Sequence, residues 1–355
     1  MNRILMYLMA AGAILGGADR MLGNRFGLGQ RFEEAFRLLG SIALSMVGIV
    51  CLAPLLSGVL GKLAAPVFRA VHMEPAVLGS ILAIDMGGYQ MAMDLAEDPQ
   101  MGRFAGIILS AIFGCTVVFT IPVGLEAIGQ EDRPYFTRGI LVGVGTMPVG
   151  ILIGGLMLKL PVADLIWNCL PVLLVSALLI WGLQKKPESM LRLFQRFAAG
   201  IGLLATAGLA IGAAEYMTGR SWIPGMTPLM DAMEIACSIA IVMLGSMPLA
   251  ELIQKVMKKP FDWIGRHTGL NAVSTTGILI GMVSVMPALA MIPRMDRRGK
   301  VVCGAFVVCG ASAFAAHIGF TLSVQPDMVS ALLAAKLLGG LFGAVAALFF
   351  TRNME

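Results

Sequence analysis

Residues 81–95 read ILAIDMGGYQMAMDL. An acid, Asp85, sits in the middle of this apolar run, and a Gly-Gly pair, Gly87 and Gly88, follows where a membrane helix would continue. Whether the segment crosses a bilayer or turns back inside it decides the architecture of the whole chain.

The surroundings are lipid-like from end to end. The 355 residues are 58% hydrophobic and 13% charged, and the mean hydropathy is +0.85. A soluble domain of this size cannot hide that much apolar surface. Runs of about 20 apolar residues, enough to cross a hydrocarbon core of about 30 Å, recur along the chain. The expectation is an all-α, polytopic integral membrane protein. The start, MNRILMYLMAAGAILGG, passes for a signal peptide, but it has one basic residue, Arg3, and a copy later in the chain, so it reads as a mature helix. The six cysteines all fall in apolar runs without metal spacing and read as small core residues. The net charge of +5 needs no nucleic acid, because basic loops on membrane proteins are topology signals.

The chain is written twice. Displaced by 196–197 residues, AILGGADRMLGNR meets GLAIGAAEYMTGR, Ser41-Ile42-Ala43 meets Ser238-Ile239-Ala240, and Gly102-Arg103 meets Gly299-Lys300. Asp19 falls near Glu215. The first copy has helices at 4–18, 38–60, 103–125 and 137–158, with a basic amphipathic stretch after the first helix and the interrupted segment at 76–95. The second has helices at 197–216, 233–254, 301–323 and 330–350, with its own interrupted segment at 271–293, NAVSTTGILIGMVSVMPALAMIP. One more helix, 165–183, joins them. The divisions are a first transmembrane repeat at 1–160, a linking helix within 161–195 and a second repeat at 196–355.

Basic residues decide how the interrupted segments sit. If both cross, making eleven spans, Lys and Arg divide about evenly between the two sides. If both are re-entrant hairpins, leaving nine spans, nineteen of the 26 gather on one side. The other side then keeps Arg3, Lys62, Arg69, Arg103, Lys159, Arg220 and Lys336. The positive-inside rule prefers the second arrangement and puts the N-terminus outside and the C-terminus in the cytoplasm. Five crossings separate the copies, so the second is inverted, as in many secondary transporters. The expected breaks are Gly87 and Gly88 in the first hairpin, and Gly277, Gly281 and Pro287 in the second. The four tryptophans, at 167, 181, 222 and 263, lie near span ends, as in an aromatic belt.

Backbone that leaves helical geometry inside a membrane lines a cavity or is buried in protein. An acid beside such a break costs about 2.5–3.5 kcal/mol on insertion scales and suits a small cation. Asp85 is therefore the candidate ligand for an ammonium, with the Tyr89 ring and Gln90 beside it; the alternative has Asp85 capping the hairpin's own backbone. The second hairpin offers no acid there, since Asp85 falls on Met282, but it has Ser274, Thr275 and Thr276 for a hydroxyl. Asp94, Glu97 and Asp98 read as loop acids. Asp85 and His317 are the candidates for proton linkage, His317 otherwise being a packed histidine. HExxH, CxxC and Walker motifs are all missing from the sequence, and three histidines make a multi-histidine metal site implausible. No metal and no cofactor is expected.

MNRILMYLMAAGAILGGADRMLGNRFGLGQRFEEAF, EPAVLGSILAIDMGGYQMAMDLA and GTMPVGILIGGL resemble the ethanolamine utilisation permease family, and the likeness covers essentially the whole chain. IDMGGYQMA is its most specific part. The resemblance implies a bacterial inner-membrane permease that admits ethanolamine by facilitated or ion-coupled alternating access. It fixes no ligand residues. Another small amine or cation is the alternative cargo, and an integral membrane receptor or enzyme is the alternative class. Membrane lipid is the expected surround, and a homodimer is an open expectation.

Overall fold

The computed structural model describes residues 2–82 and 87–354. Asp85 lies outside the described residues. Every regular element described is a helix, and the protein is a polytopic helical membrane protein. Among the described residues, eight helices are long and apolar enough to cross a membrane. In chain order the elements are α1 (Asn2–Met21), α2 (Leu28–Leu63), the short α3 (Ala65–Ala70), α4 (Ala76–Leu82), α5 (Gly88–Leu95) and α6 (Pro99–Ala127). Then come α7 (Arg133–Met157), α8 (Val162–Lys185), α9 (Pro187–Thr218), α10 (Leu229–Thr268), α11 (Ala272–Gly281) and α12 (Val285–Met291). The last three are α13 (Arg297–Gly310), α14 (Ala316–Val324) and α15 (Val329–Phe350).

The basic stretch after α1 is helical and runs on into α2 as one rod. The turn before it is closed by Asp19, whose carboxylate accepts from the N–H groups of Phe26, Leu28 and Gly29 at 2.8–2.9 Å. These are orphan donors at a helix start. Glu215 does the same after α9, accepting from Trp222 and Ile223 N–H. The paired acids of the two sequence halves are thus turn closers.

Helices pack through bare backbone. A Cβ added to Gly245 would lie 1.9 Å from the Met9 carbonyl oxygen, and one on Gly48 would lie 1.7 Å from that of Ala205. Gly12 meets Gly245 and Leu249, and Gly208 meets Gly48 and Leu52. The two contacts are reciprocal: α1 runs along α10, and α9 runs along α2, each pair in the same direction. Small residues at such crossings let helices associate where lipid removes the hydrophobic drive. Between α2 and α10 the direction reverses, since Lys255 donates to the Phe26 carbonyl while Arg31 pairs with Glu251.

Each interrupted segment contributes two short helices, α4 and α5 in the first and α11 and α12 in the second, and the outer ends of each pair meet. In the first, Gly79 of α4 lies against Ala92 of α5, and the Glu74 carboxylate accepts from the N–H groups of Glu97 and Asp98 at 2.6 and 3.3 Å. In the second, Gly277 of α11 faces Met291 and Met295. There Asn271 donates its N–H to Asp296 at 3.0 Å and its amide to the Arg294 carbonyl. Gly88 opens α5 and Gly281 closes α11. Gly277 is not a break: it sits inside α11, where a Cβ would come 2.1 Å from the Met295 methyl. Pro287 falls in the first turn of α12, where no helical hydrogen bond is lost.

Two expectations are corrected. The helix drawn at 301–323 is α13 and α14 with an unwound stretch at 311–315 between them. No Gly or Pro lies inside 311–315; Ser312 is held at φ +54° by tertiary hydrogen bonds instead. Lys336, counted with the basic residues at one membrane face, lies inside α15 and is fully buried. Five of the six cysteines are buried.

Candidate functional site

The two breaks in the second half converge. The Ser312 N–H donates to the Gly281 carbonyl at 2.9 Å, and the Phe314 N–H donates to that of Met282 at 3.0 Å. Unwound backbone from one broken helix thus satisfies unwound backbone from another. This is how irregular chain survives inside an apolar bundle. Met282 is the position 197 residues beyond Asp85.

Around this junction sits a polar layer. His317, 2% exposed, opens α14 and turns Nδ1 toward the Ser312 carbonyl at 3.3 Å. It is a first-turn residue after a break, not the mid-helix histidine expected. Thr116 of α6 donates to the Val308 carbonyl of α13 at 2.8 Å. Lys336 of α15 donates to the Ala111 carbonyl at 2.8 Å. Ala111 lies in a π-helical run, Phe104–Gly114, a geometry that recurs at functional positions. A buried ammonium is costly by several kcal/mol unless its donors are met. Sequence reasoning put Lys336 inside a helix but counted it among the basic residues of one membrane face, because its burial is set by the packing of α15 against α6 and not by its neighbours in sequence.

The first hairpin meets α14 from its own side. Tyr89, half-buried, accepts from Gln325 Nε2 at 2.8 Å, and its ring meets the Phe320 ring edge-on at 5.7 Å. Its face is therefore partly engaged by α14. Gln90 donates to Asp94 at 2.9 Å, and Ser57 donates to the same carboxylate at 3.3 Å. Asp94 lines a groove of about 390 Å³ with Pro54, Ser57, Gly61 and Arg69. It was expected to be a loop acid but sits in α5.

Ser274, Thr275 and Thr276 do not join this group. Ser274 donates to Asp296 and Asn271, both at 2.7 Å, and serves the cap of α11. Thr275 donates to the Ala272 carbonyl. Thr276 lines a groove of about 490 Å³ with Lys258, Asp262 and Arg266, cationic company for an ammonium. Among the described residues, no hydrogen bond links the trio to Tyr89 or Gln90. At the base of the first hairpin, burial pushes the Glu74 carboxyl above its usual range, against the N–H groups of Glu97, Asp98 and Ala76, which hold it down.

The sequence model described as "Ethanolamine utilisation protein, EutH" matches residues 1–350. The chain belongs to the EutH family. A Listeria monocytogenes relative named "Probable ethanolamine permease EutH" is 40% identical over 99% of this chain and 95% of its own length. Relatives of the same name from Salmonella typhimurium and Escherichia coli are each 34% identical over 96% of this chain and 93% of their own length. No solved structure matches.

Proposed function

We propose that this protein is a permease that moves ethanolamine, as its ammonium cation, across the bacterial inner membrane, and that it is not an enzyme. The substrate follows the names of the relatives. The observation that carries the transport reading is the junction of two unwound stretches, 282–284 and 311–315, with buried His317 following the second and buried Lys336 one helical turn from the residues packed against its start. A bundle built only for stability gains nothing from breaks and ionisable groups at that depth. In a transporter, such breaks frame a midplane site.

The halves 1–160 and 196–355 act as inverted repeats, with the α8 region between them. Supporting this, α2 and α10, equivalent by the 197-residue offset, run antiparallel, and the Gly12–Gly245 and Gly208–Gly48 contacts exchange roles between halves. The units α4–α5 and α11–α12 are re-entrant, and α13 with α14 forms a broken ninth crossing. Asp85 is the proposed ammonium ligand. Tyr89 and Gln90 flank it, while Ser274–Thr276 close the base of the second hairpin. Alternating access follows from one repeat rocking against the other, with facilitated and ion-coupled transport distinguished by an imposed pH gradient.

Proteoliposomes holding only this protein should take up labelled ethanolamine at least tenfold faster than empty vesicles, and Asp85→Asn should remove most of that uptake. Uptake at the empty-vesicle rate overturns the permease reading. Wild-type uptake by the Asp85→Asn protein discards the ligand and spares the permease. For topology, cysteines placed at 97–100 in a cysteine-free background should react with an impermeant maleimide from outside the cell. Those at 294–298 should react only after the membrane is opened. Equal labelling of both sets from one side removes the inverted arrangement.

A further inference from the structure

We infer that Lys336 is a tethered stand-in for the transported cation: its ammonium holds a carbonyl of the core while substrate is absent, and an incoming alkylammonium ion displaces it. The inference rests on reading this protein as an amine permease, and it gives a binding role to a residue that no sequence motif marks.

Three observations lead to it. The first is chemical identity. A lysine side chain ends in a primary alkylammonium, the same group that a protonated small amine carries, so whatever acceptors suit one suit the other. Lys336 is 0% exposed and donates to the Ala111 carbonyl at 2.8 Å, in the π-helical run of α6.

The second is place. One helical turn beyond Lys336, Gly339 and Gly340 lie against the last residues of α13. A Cβ on Gly339 would come 3.2 Å from Cys309 Sγ, and one on Gly340 would come 3.0 Å from the Gly310 nitrogen. Residues three and four apart share a helix face. The chain unwinds directly after Gly310, and that unwound stretch is the one bonded to Gly281 and Met282. The turn of α15 that follows Lys336 therefore stands on the wall of the junction.

The third is asymmetry. The position 197 residues earlier is Gly139, where a Cβ would lie 2.4 Å from the Val301 carbonyl oxygen and the helices touch through backbone. The same crossing in the other half is built without a side chain, so packing does not call for a lysine at 336.

A tethered cation competes with a free one. Removing it should tighten amine binding and slow release, because a bound amine then has no resident ammonium to replace it. The thermal unfolding midpoint of the purified full-length protein would be titrated with ethanolamine hydrochloride and with methylammonium chloride, ionic strength held constant with NaCl. Lys336→Met and Lys336→Gln should each reach half-saturation at a concentration at least tenfold below wild type. In proteoliposomes their KM and kcat should fall together. Lys336→Arg keeps a charge and should bind no more tightly than wild type.

A lysine that only staples α15 to α6 gives a different result. Lys336→Gln, which keeps a donor for Ala111, would then match the wild-type concentration, and the inference is overturned. No midpoint shift with either amine in any variant overturns it as well. Variants that bind methylammonium more tightly while wild-type vesicles fail to move ethanolamine would keep the inference and remove the substrate proposed above.

Discussion

Asp132→Asn is expected to destabilise the folded protein by about 3–5 kcal/mol, because it strands a buried ammonium. Asp132 precedes α7 and Lys300 lies in the first turn of α13; they are 4% and 9% exposed and form an ion pair. Tyr135 adds its ring face, 5.9 Å from Lys300 Nζ. Each partner comes from a different half of the sequence, so the pair ties the halves together. At the other end of the bundle Arg103, the residue equivalent to Lys300, pairs with Asp327 at 3.3 Å. That pair is exposed, at 41% and 57%, and solvent screens it. Asp327→Asn should cost only about 0–1 kcal/mol. Unfolding midpoints in detergent would compare the two, and Asp132→Asn joined to Lys300→Met should recover much of the loss. Equal losses at the two pairs would remove burial as the deciding factor.

Gly245→Ala and Gly48→Ala carry the second large effect. Their new methyl groups would lie 1.9 and 1.7 Å from the backbone oxygens of Met9 and Ala205. A carbonyl in the next helix cannot rotate aside as a side chain can, so α1 must leave α10 and α9 must leave α2. Overpacking costs about 1–3 kcal/mol, and backbone contacts this close lie at or beyond the top of that range. Gly40→Ala and Gly58→Ala are the controls. Nothing lies within 4 Å of a Cβ at either position, and in a helix alanine is favoured over glycine by about 1 kcal/mol. The yield of monodisperse protein after mild heating should fall for the first two variants and hold for the controls. If all four behave alike, the close helix crossings are not what limits stability.

The breaks show how far local pattern reaches. Gly87-Gly88 and Gly281 were legible because glycine leaves a helix at little cost, and the structure starts α5 and ends α11 at those residues. The break at 311–315 was not legible, since Ala311-Ser312-Ala313-Phe314-Ala315 carries no breaker. Its conformation is held by hydrogen bonds to Gly281 and Met282, about thirty residues away in sequence. Ser274 and Thr275 were read as free hydroxyls beside a break. They cap α11 and bond its own turn, because Asp296 folds back against Asn271. Asp94 was read as a loop acid because it precedes Glu97, Asp98 and Pro99. The helix runs one residue past it and turns it toward Ser57.

By itself the sequence determined that the protein is helical and membrane-embedded. Those properties are sums over neighbouring residues, and hydropathy measures them directly. Only the tertiary structure decided which polar groups meet: Lys336 with the π-helical run of α6, His317 with the 311–315 break, and Ser274 of α11 with its cap. Each of those contacts joins groups through packing, and a polar side chain's role in lipid is set by the donor or acceptor that packing brings within about 3 Å.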